Sequence, residues 1–302
     1  MINDKYDKAV SEILDIIAEP KGNGILPEAE TDQNVLQVEP HVELLSYTMK
    51  PLETVNVAAR RCYSDLSTED LVSDVLGKED DELGSFINGV MKTGHMSTIE
   101  HAAFTFIVEG VSRALLAQIT RSRIASFSVL SQRYVKMDDG MTYVIPPAIM
   151  DLGDEAMAEY AAQMCTMHQW YMGWRAKGIE PEDARFVTPQ AVETRFIVTM
   201  NARELFHLFS LRICDRSQWE INFLAEEMLS ECQMACPELF KKAGPSCVQS
   251  GKCPEGKRSC GKIEEQKAKF SALYKLNKTV HDSAGCDYFP MVMTDLDSGE
   301  AA

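Results

Sequence analysis

The chain has 302 residues, 45% of them hydrophobic, which is enough to bury a substantial core in one large or two modest domains. Its 46 acidic and 30 basic residues leave a formal charge of −16, a field that repels nucleic-acid phosphates and anionic lipid and argues against a nucleic-acid or membrane-surface role. The opening Met1-Ile2-Asn3-Asp4-Lys5 lacks a signal-peptide pattern, no run approaches the ~18 apolar residues of a membrane span, and nine cysteines do not suggest a disulfide framework, so a reduced, cytoplasmic protein is expected.

Taken in chain order, Ala9, Ile13, Leu14, Ile16 and Ile17 predict a short amphipathic helix over 5–18, ended by Pro20 and Gly22. Residues 1–40 read as that helix plus an acidic linker. Gly22-x-Gly24 has no third glycine, no strand before it and no helix after it, which excludes a dinucleotide-binding fingerprint. The body, 41–243, opens with a strand at 42–48, followed by helices at 52–62, 68–76 and 81–93. A strand over 101–108 is rich in β-branched and aromatic residues, and a helix from Ser112 to Thr120 follows it. Strands are expected at 126–136, 141–146 and 195–200, and a long helix at 151–176, where Met157, Met164, Met167 and Met172 serve packing. Asn201 and Glu204 stand as helix N-cap and N3 partner, and a last helix runs over 217–242. Beyond Gly244-Pro245 the apolar rhythm is lost, so 244–302 reads as a Cys-, Lys- and Gly-rich tail. The sum is an α+β fold with a mixed or antiparallel sheet flanked by long helices.

Charge is distributed unevenly. The 28 residues between Glu109 and Asp138 contain no carboxylate but carry Arg113, Arg121, Arg123, Arg133 and Lys136. Such a run is either a solvated basic surface or an anion site. Read as extended chain, Arg121 with Arg123, and Ser131 with Arg133, form two paired donor faces, and guanidinium forks suit phosphate and imide oxygens. Arg185, Arg195, Arg203 and Arg212 form a second group. On a helix capped by Asn201, Arg203 and His207 share a face, while Arg212 serves another. Two such groups suggest a nucleotide-like, multiply anionic ligand.

The order of these residues resembles the flavin-dependent thymidylate synthases. That family carries Arg-His-Arg, seven residues, then Ser-x-Arg-Tyr; here stand Arg121-Ser122-Arg123, seven residues, then Ser131-Gln132-Arg133-Tyr134. Upstream lie Ala58-Ala59-Arg60-Arg61-Cys62-Tyr63, Gly94-His95-Met96-Ser97-Thr98-Ile99-Glu100-His101 and Gln118. Downstream lie Arg185, Asn201-Ala202-Arg203-Glu204-Leu205, Leu211-Arg212 and Gln218-Trp219-Glu220. The likeness covers residues 42–240. It implies a homotetramer with shared active sites, a flavin site outside any Rossmann crevice, and reductive methylation of dUMP to dTMP. The implied cofactor is FAD, with NADPH as reductant and 5,10-methylenetetrahydrofolate as one-carbon donor.

By the same resemblance, dUMP would be held by Gln118, Arg121, Ser131, Gln132, Arg133, Arg185 and Arg212. Arg212 would also be catalytic, polarising the pyrimidine. The FAD site would use His95, Ser97, Glu100, Arg121, Ser122, Arg123, Asn201, Arg203 and His207. Ser122 departs from the family's middle histidine, and a flavin- or nucleotide-binding paralogue with little turnover is the alternative it raises. Ser131 lacks an evident neighbouring base and is expected to donate a hydrogen bond rather than attack. No metal is assigned: His95, His101, His207 and Glu100 lack ligand spacing, and Cys247, Cys253, Cys260 and Cys286 are spaced more loosely than zinc-site cysteines.

Overall fold

A computed structural model describes residues 35–284; the helix expected over 5–18 lies outside them. Helix α1 (Pro51–Arg61) starts on a proline, whose fixed φ and missing N–H suit a first helical position. In α2 (Thr68–Leu76) the Ser67 hydroxyl accepts the Asp70 amide at 3.0 Å, and Glu69 and Asp70 complement the positive end of the helix. The third helix, α3 (Asp80–Lys92), likewise opens on three acidic residues.

The main sheet is antiparallel, in the order β2 (His41–Tyr47), β3 (Ala103–Ser112), β6 (Glu193–Asn201), β4 (Ala125–Val129). Phe104, Phe106 and Val108 of β3, with Phe196, Val198 and Met200 of β6, bury the inner face. Helix α9 (Trp219–Ala235) packs across that face through Ile221, Leu224, Met228 and Leu229. At the centre of this core sits Phe240, with ring centroids 5.2 Å from Phe104 and 5.5 Å from Phe206. A bulge interrupts β3 between Val108 and Val111. There Gly110 takes φ 67°, and a Cβ would collide with the Glu39 carbonyl, so only glycine fits.

Two short strands form a separate parallel pair, β1 (Val35–Gln37) with β5 (Met141–Tyr143). Their side chains, with Met164 and Cys165 of α6 (Asp154–Ala176), make a second, smaller core. β1 thus lies in the stretch expected to be linker. Short helices α5 (Pro147–Met150) and α7 (Pro181–Ala184) flank α6. Helices α4 (Arg113–Ile119) and α8 (Ala202–Arg212) follow β3 and β6 directly.

Three expected elements differ. The strand over 126–136 stops at Val129, because the amides of Tyr134 and Val135 both turn back to the Ser131 carbonyl. The helix expected over 217–242 breaks at Cys236, whose φ of −152° is not helical, and resumes as α10 (Pro237–Phe240); the proline lacks the amide needed to continue the ladder. The tail, read as having no apolar rhythm, contains α11 (Ser246–Ser250) and the 22-residue α12 (Ile263–Ala284), which packs on α9. Phe270 is buried, the Tyr274 hydroxyl donates to Glu238 at 2.7 Å, and buried Asn277 donates to Gln233 at 3.0 Å. Those contacts come from one apolar ring and polar residues, a pattern that hydrophobic periodicity does not register. No helix among the described residues is long and apolar enough to cross a membrane.

Candidate active site

The sheet register brings three separated segments to one edge of the fold. Ala103 is opposite Asn201, and Ala125 is opposite Met200. The 3-10 turn Met96–His101 leads into β3, the turn Arg121–Arg123 leads into β4, and Asn201 ends β6. Asn201 caps α8 by accepting the Glu204 amide at 2.9 Å, as its spacing predicts. The cap sets the start of α8, so Arg203 and His207 are both exposed, and Arg203 forms an ion pair with Glu100 of the 3-10 turn. His95 and Ser97 are exposed on the same turn. Every residue expected at the flavin therefore belongs to this one end of the sheet.

Arg121, Ser122 and Arg123 are not on extended chain, contrary to the paired-face expectation. The amides of Arg121 and Ser122 donate to the carbonyls of Gln118 and Ile119 at 3.3 and 3.0 Å, closing the end of α4 into a turn. Arg121 and Arg123 are exposed and have no carboxylate partner among the described residues; Ser122 is half-buried. Ser131 and Arg133 also sit in a turn, for the reason that ends β4 early.

The residues expected at the nucleotide fall into two groups. Gln118 and Arg212 line a single cavity of about 460 Å³, whose walls come from the end of α8, the start of α9 and residues 245–266. Arg212 has no carboxylate partner among the described residues, so its charge is free to meet an anionic or carbonyl ligand. Opposite it, Gln118 receives support from Gln218: their carboxamides lie 3.4 Å apart, and the Gln218 oxygen also accepts the amides of Glu220 and Ile221.

Ser131, Gln132, Arg133 and Arg185 gather at the other end of the sheet. Arg133 pairs with Glu182 at 2.6 Å, and the Arg185 side chain donates to the Glu182 carbonyl at 3.0 Å. Gln132 is buried. Nearby Arg113 has its pKa lowered, first by burial and then by the Arg185 charge. β4 separates this group from Arg121 by roughly 17 Å of strand. Helix α6 clamps the connecting loop: His168 bonds the Met137 carbonyl at 2.7 Å, and Arg175 donates to Asp138 at 3.1 Å.

Sequence reasoning left out Arg113, Gln218 and Glu220 as site residues, although all three lie in the segments it singled out. It also gave no role to residues 245–266, for which charge and composition carried no signal of cavity lining.

Comparison with known proteins gives the family and the fold. Residues 43–238 match the family described as thymidylate synthase complementing protein. A flavin-dependent thymidylate synthase of Clostridium tetani is 45% identical over 241 residues, covering 75% of this chain and 95% of the relative. A flavin-dependent thymidylate synthase of Geobacter sulfurreducens is 44% identical over 234 residues, covering 77% and 98%. In fold, the chain is similar to a UMP/dUMP methylase from Streptomyces cacaoi bound with 5-Br dUMP, at a TM-score of 0.58 and 21% identity, covering 68% of this chain and 95% of that one. With most of its length matched in sequence by the family and by relatives at 44–45% identity, the chain belongs to the flavin-dependent thymidylate synthases.

Proposed function

We propose that this chain converts dUMP to dTMP by reductive methylation, with 5,10-methylenetetrahydrofolate as one-carbon donor and NADPH as reductant through FAD, in the cytoplasm. The observation that carries the reading is the cavity lined by both Gln118 and Arg212, the latter a guanidinium with no carboxylate partner among the described residues. Named relatives at 44–45% identity support the reaction class.

The donor set suits a flavin dinucleotide. Arg121 and Arg123 are exposed cations without carboxylate partners among the described residues, suited to a diphosphate. His95, Ser97, Glu100, Ser122, Asn201, Arg203 and His207 supply polar groups around the same end of the sheet. Bound there, the flavin would supply hydride chemistry that no side chain can.

For the nucleotide, Gln118 orients the base and Arg212 lies against the pyrimidine edge. A fixed cation there stabilises negative charge that builds on the ring oxygens when C5 becomes nucleophilic. Arg121, Ser131, Gln132, Arg133 and Arg185 bind the sugar and phosphate. Because these residues are divided between two ends of one sheet, a complete pocket draws on more than one copy, in a homotetramer. The partly exposed outer sheet face, with Ile107, Ser128 and Ile197, offers a surface for such assembly. The catalytic domain, proposed for 41–243, is completed by β1, which pairs with β5, and by α12, whose Phe270 is buried in the main core.

The experiment is a dUMP titration of the FAD-loaded protein, read by flavin absorbance. Saturable perturbation that Arg212→Ala weakens at least tenfold supports the reading. An unchanged spectrum, or equal binding by the variant, contradicts it.

A further inference from the structure

Four cysteines from two distant parts of the chain meet at one cavity. Cys214 lies just after α8, Cys247 lies on α11, and Cys253 and Cys260 lie in the loop before α12. All four line the 460 Å³ void. The other described cysteines, Cys62, Cys165, Cys232 and Cys236, are absent from that lining. All eight are free thiols. Burial pushes the Cys247 thiol up. Among the described residues no three thiol, imidazole or carboxylate groups stand within reach of a single metal ion.

Four thiols lining one void are a ligand set that a polynuclear centre can use. In a cubane iron–sulfur cluster each thiolate binds its own iron, so no two thiolates need to converge on one atom. The loop supports this arrangement. Gly251, Gly256 and Gly261 adopt φ of 72°, 53° and 79°, bending the chain beside Cys253 and Cys260 at positions that other residues rarely tolerate. Its own sequence is basic, with Lys252, Lys257, Arg258 and Lys262 against the single carboxylate of Glu255, in a chain that is otherwise acidic. The loop is also fastened to the α8–α9 connection. Arg216 donates to the Arg258 carbonyl at 2.8 Å, Lys262 pairs with Asp215 at 3.3 Å, and Gln266 donates to Asp215 at 2.7 Å. Along the sequence, the tail itself brings only Cys247, Cys253 and Cys260 to this cavity. The fold adds Cys214 from the body.

We propose that Cys214, Cys247, Cys253 and Cys260 bind a four-iron, four-sulfide cluster that fixes loop 251–262 as a wall of the cavity containing Gln118 and Arg212. The cluster enters by ligand exchange from a thiolate-ligated donor: four protein thiols lose their protons and displace four donor thiolates, which take those protons up. No net oxidation or reduction occurs.

The test uses the full chain, purified anaerobically and incubated with a preformed four-iron cluster ligated by a simple alkylthiolate, then desalted. About four irons and four acid-labile sulfides per chain should remain, with the Mössbauer signature of a cubane. Cys253→Ser and Cys260→Ser should each lose most of this iron, while Cys62→Ser retains it; circular dichroism checks that the variants are folded. The Mössbauer spectrum of the wild-type chain decides the matter even where a variant misfolds. Absence of retained iron, a single bound zinc without sulfide, or full retention by a folded Cys253→Ser/Cys260→Ser chain would overturn the proposal. Neither flavin nor dUMP enters the measurement, so its outcome is independent of the reaction proposed above.

Discussion

The Glu220 carboxylate accepts both the amide and the hydroxyl of Ser112, each at 2.6 Å, in a buried setting. Ser112 caps α4, and Glu220 belongs to the first turn of α9, so this contact ties the starts of the two helices together. At the other end of α4, Gln218 supports Gln118. α4 carries Gln118, and α9 holds the end of α8 through Asn222, which donates to the Arg212 carbonyl at 3.0 Å, so the joined helix starts help fix both residues. Glu220→Ala strands a buried amide and hydroxyl, and should cost about 3 kcal/mol in urea unfolding. Gln218→Ala should leave the fold intact but raise the KM for dUMP more than it lowers kcat.

Arg212 should matter to the reaction and little to the fold. Its guanidinium has no carboxylate partner among the described residues to leave stranded. Arg212→Ala should lower kcat by about a hundredfold or more, with the thermal midpoint unchanged. A loss of stability equal to the loss of rate would mark it as structural.

Glu238 gives the molecule an acid-sensitive joint between α10 and α12. Burial raises its pKa, but hydrogen bonds from Tyr274, Lys241 and Lys278 outweigh that effect and hold it below the ordinary 4.5. A carboxyl with a depressed folded pKa stabilises above its unfolded pKa, and that contribution is lost as pH falls through the folded value. Denaturant midpoints should therefore be flat near neutrality and fall below about pH 4.5. Glu238→Ala, costing about 3 kcal/mol at neutral pH, should flatten the acid limb.

Ser122 occupies a half-buried turn position beside Arg121 and Arg123. Ser122→His restores an aromatic donor there and should tighten FAD binding, measured by flavin fluorescence during dialysis. Equal affinity in both proteins would mean the serine is a neutral replacement.

Much of the fold was legible because its signals are local. The Asn201 cap and the β-branched and aromatic run of β3 predict the elements observed. Turns were harder, since Ser131–Tyr134 has strand-like composition and is bent by bonds to a single carbonyl. The α12 helix was missed because its docking depends on Tyr274, Asn277 and Lys278, polar residues that apolar periodicity ignores. At the site, motif order supplied the candidate residues, but their separation into two groups was not legible. That division follows from the length of β4 and the pairing of its ends with β6, which only the register reveals.

The central claim is tested most directly by tritium release from [5-³H]dUMP, using FAD-loaded protein with NADPH and methylenetetrahydrofolate. The account predicts release that requires both co-substrates and is abolished in Arg212→Ala. Bound flavin and bound dUMP with no release above the protein-free control would contradict it.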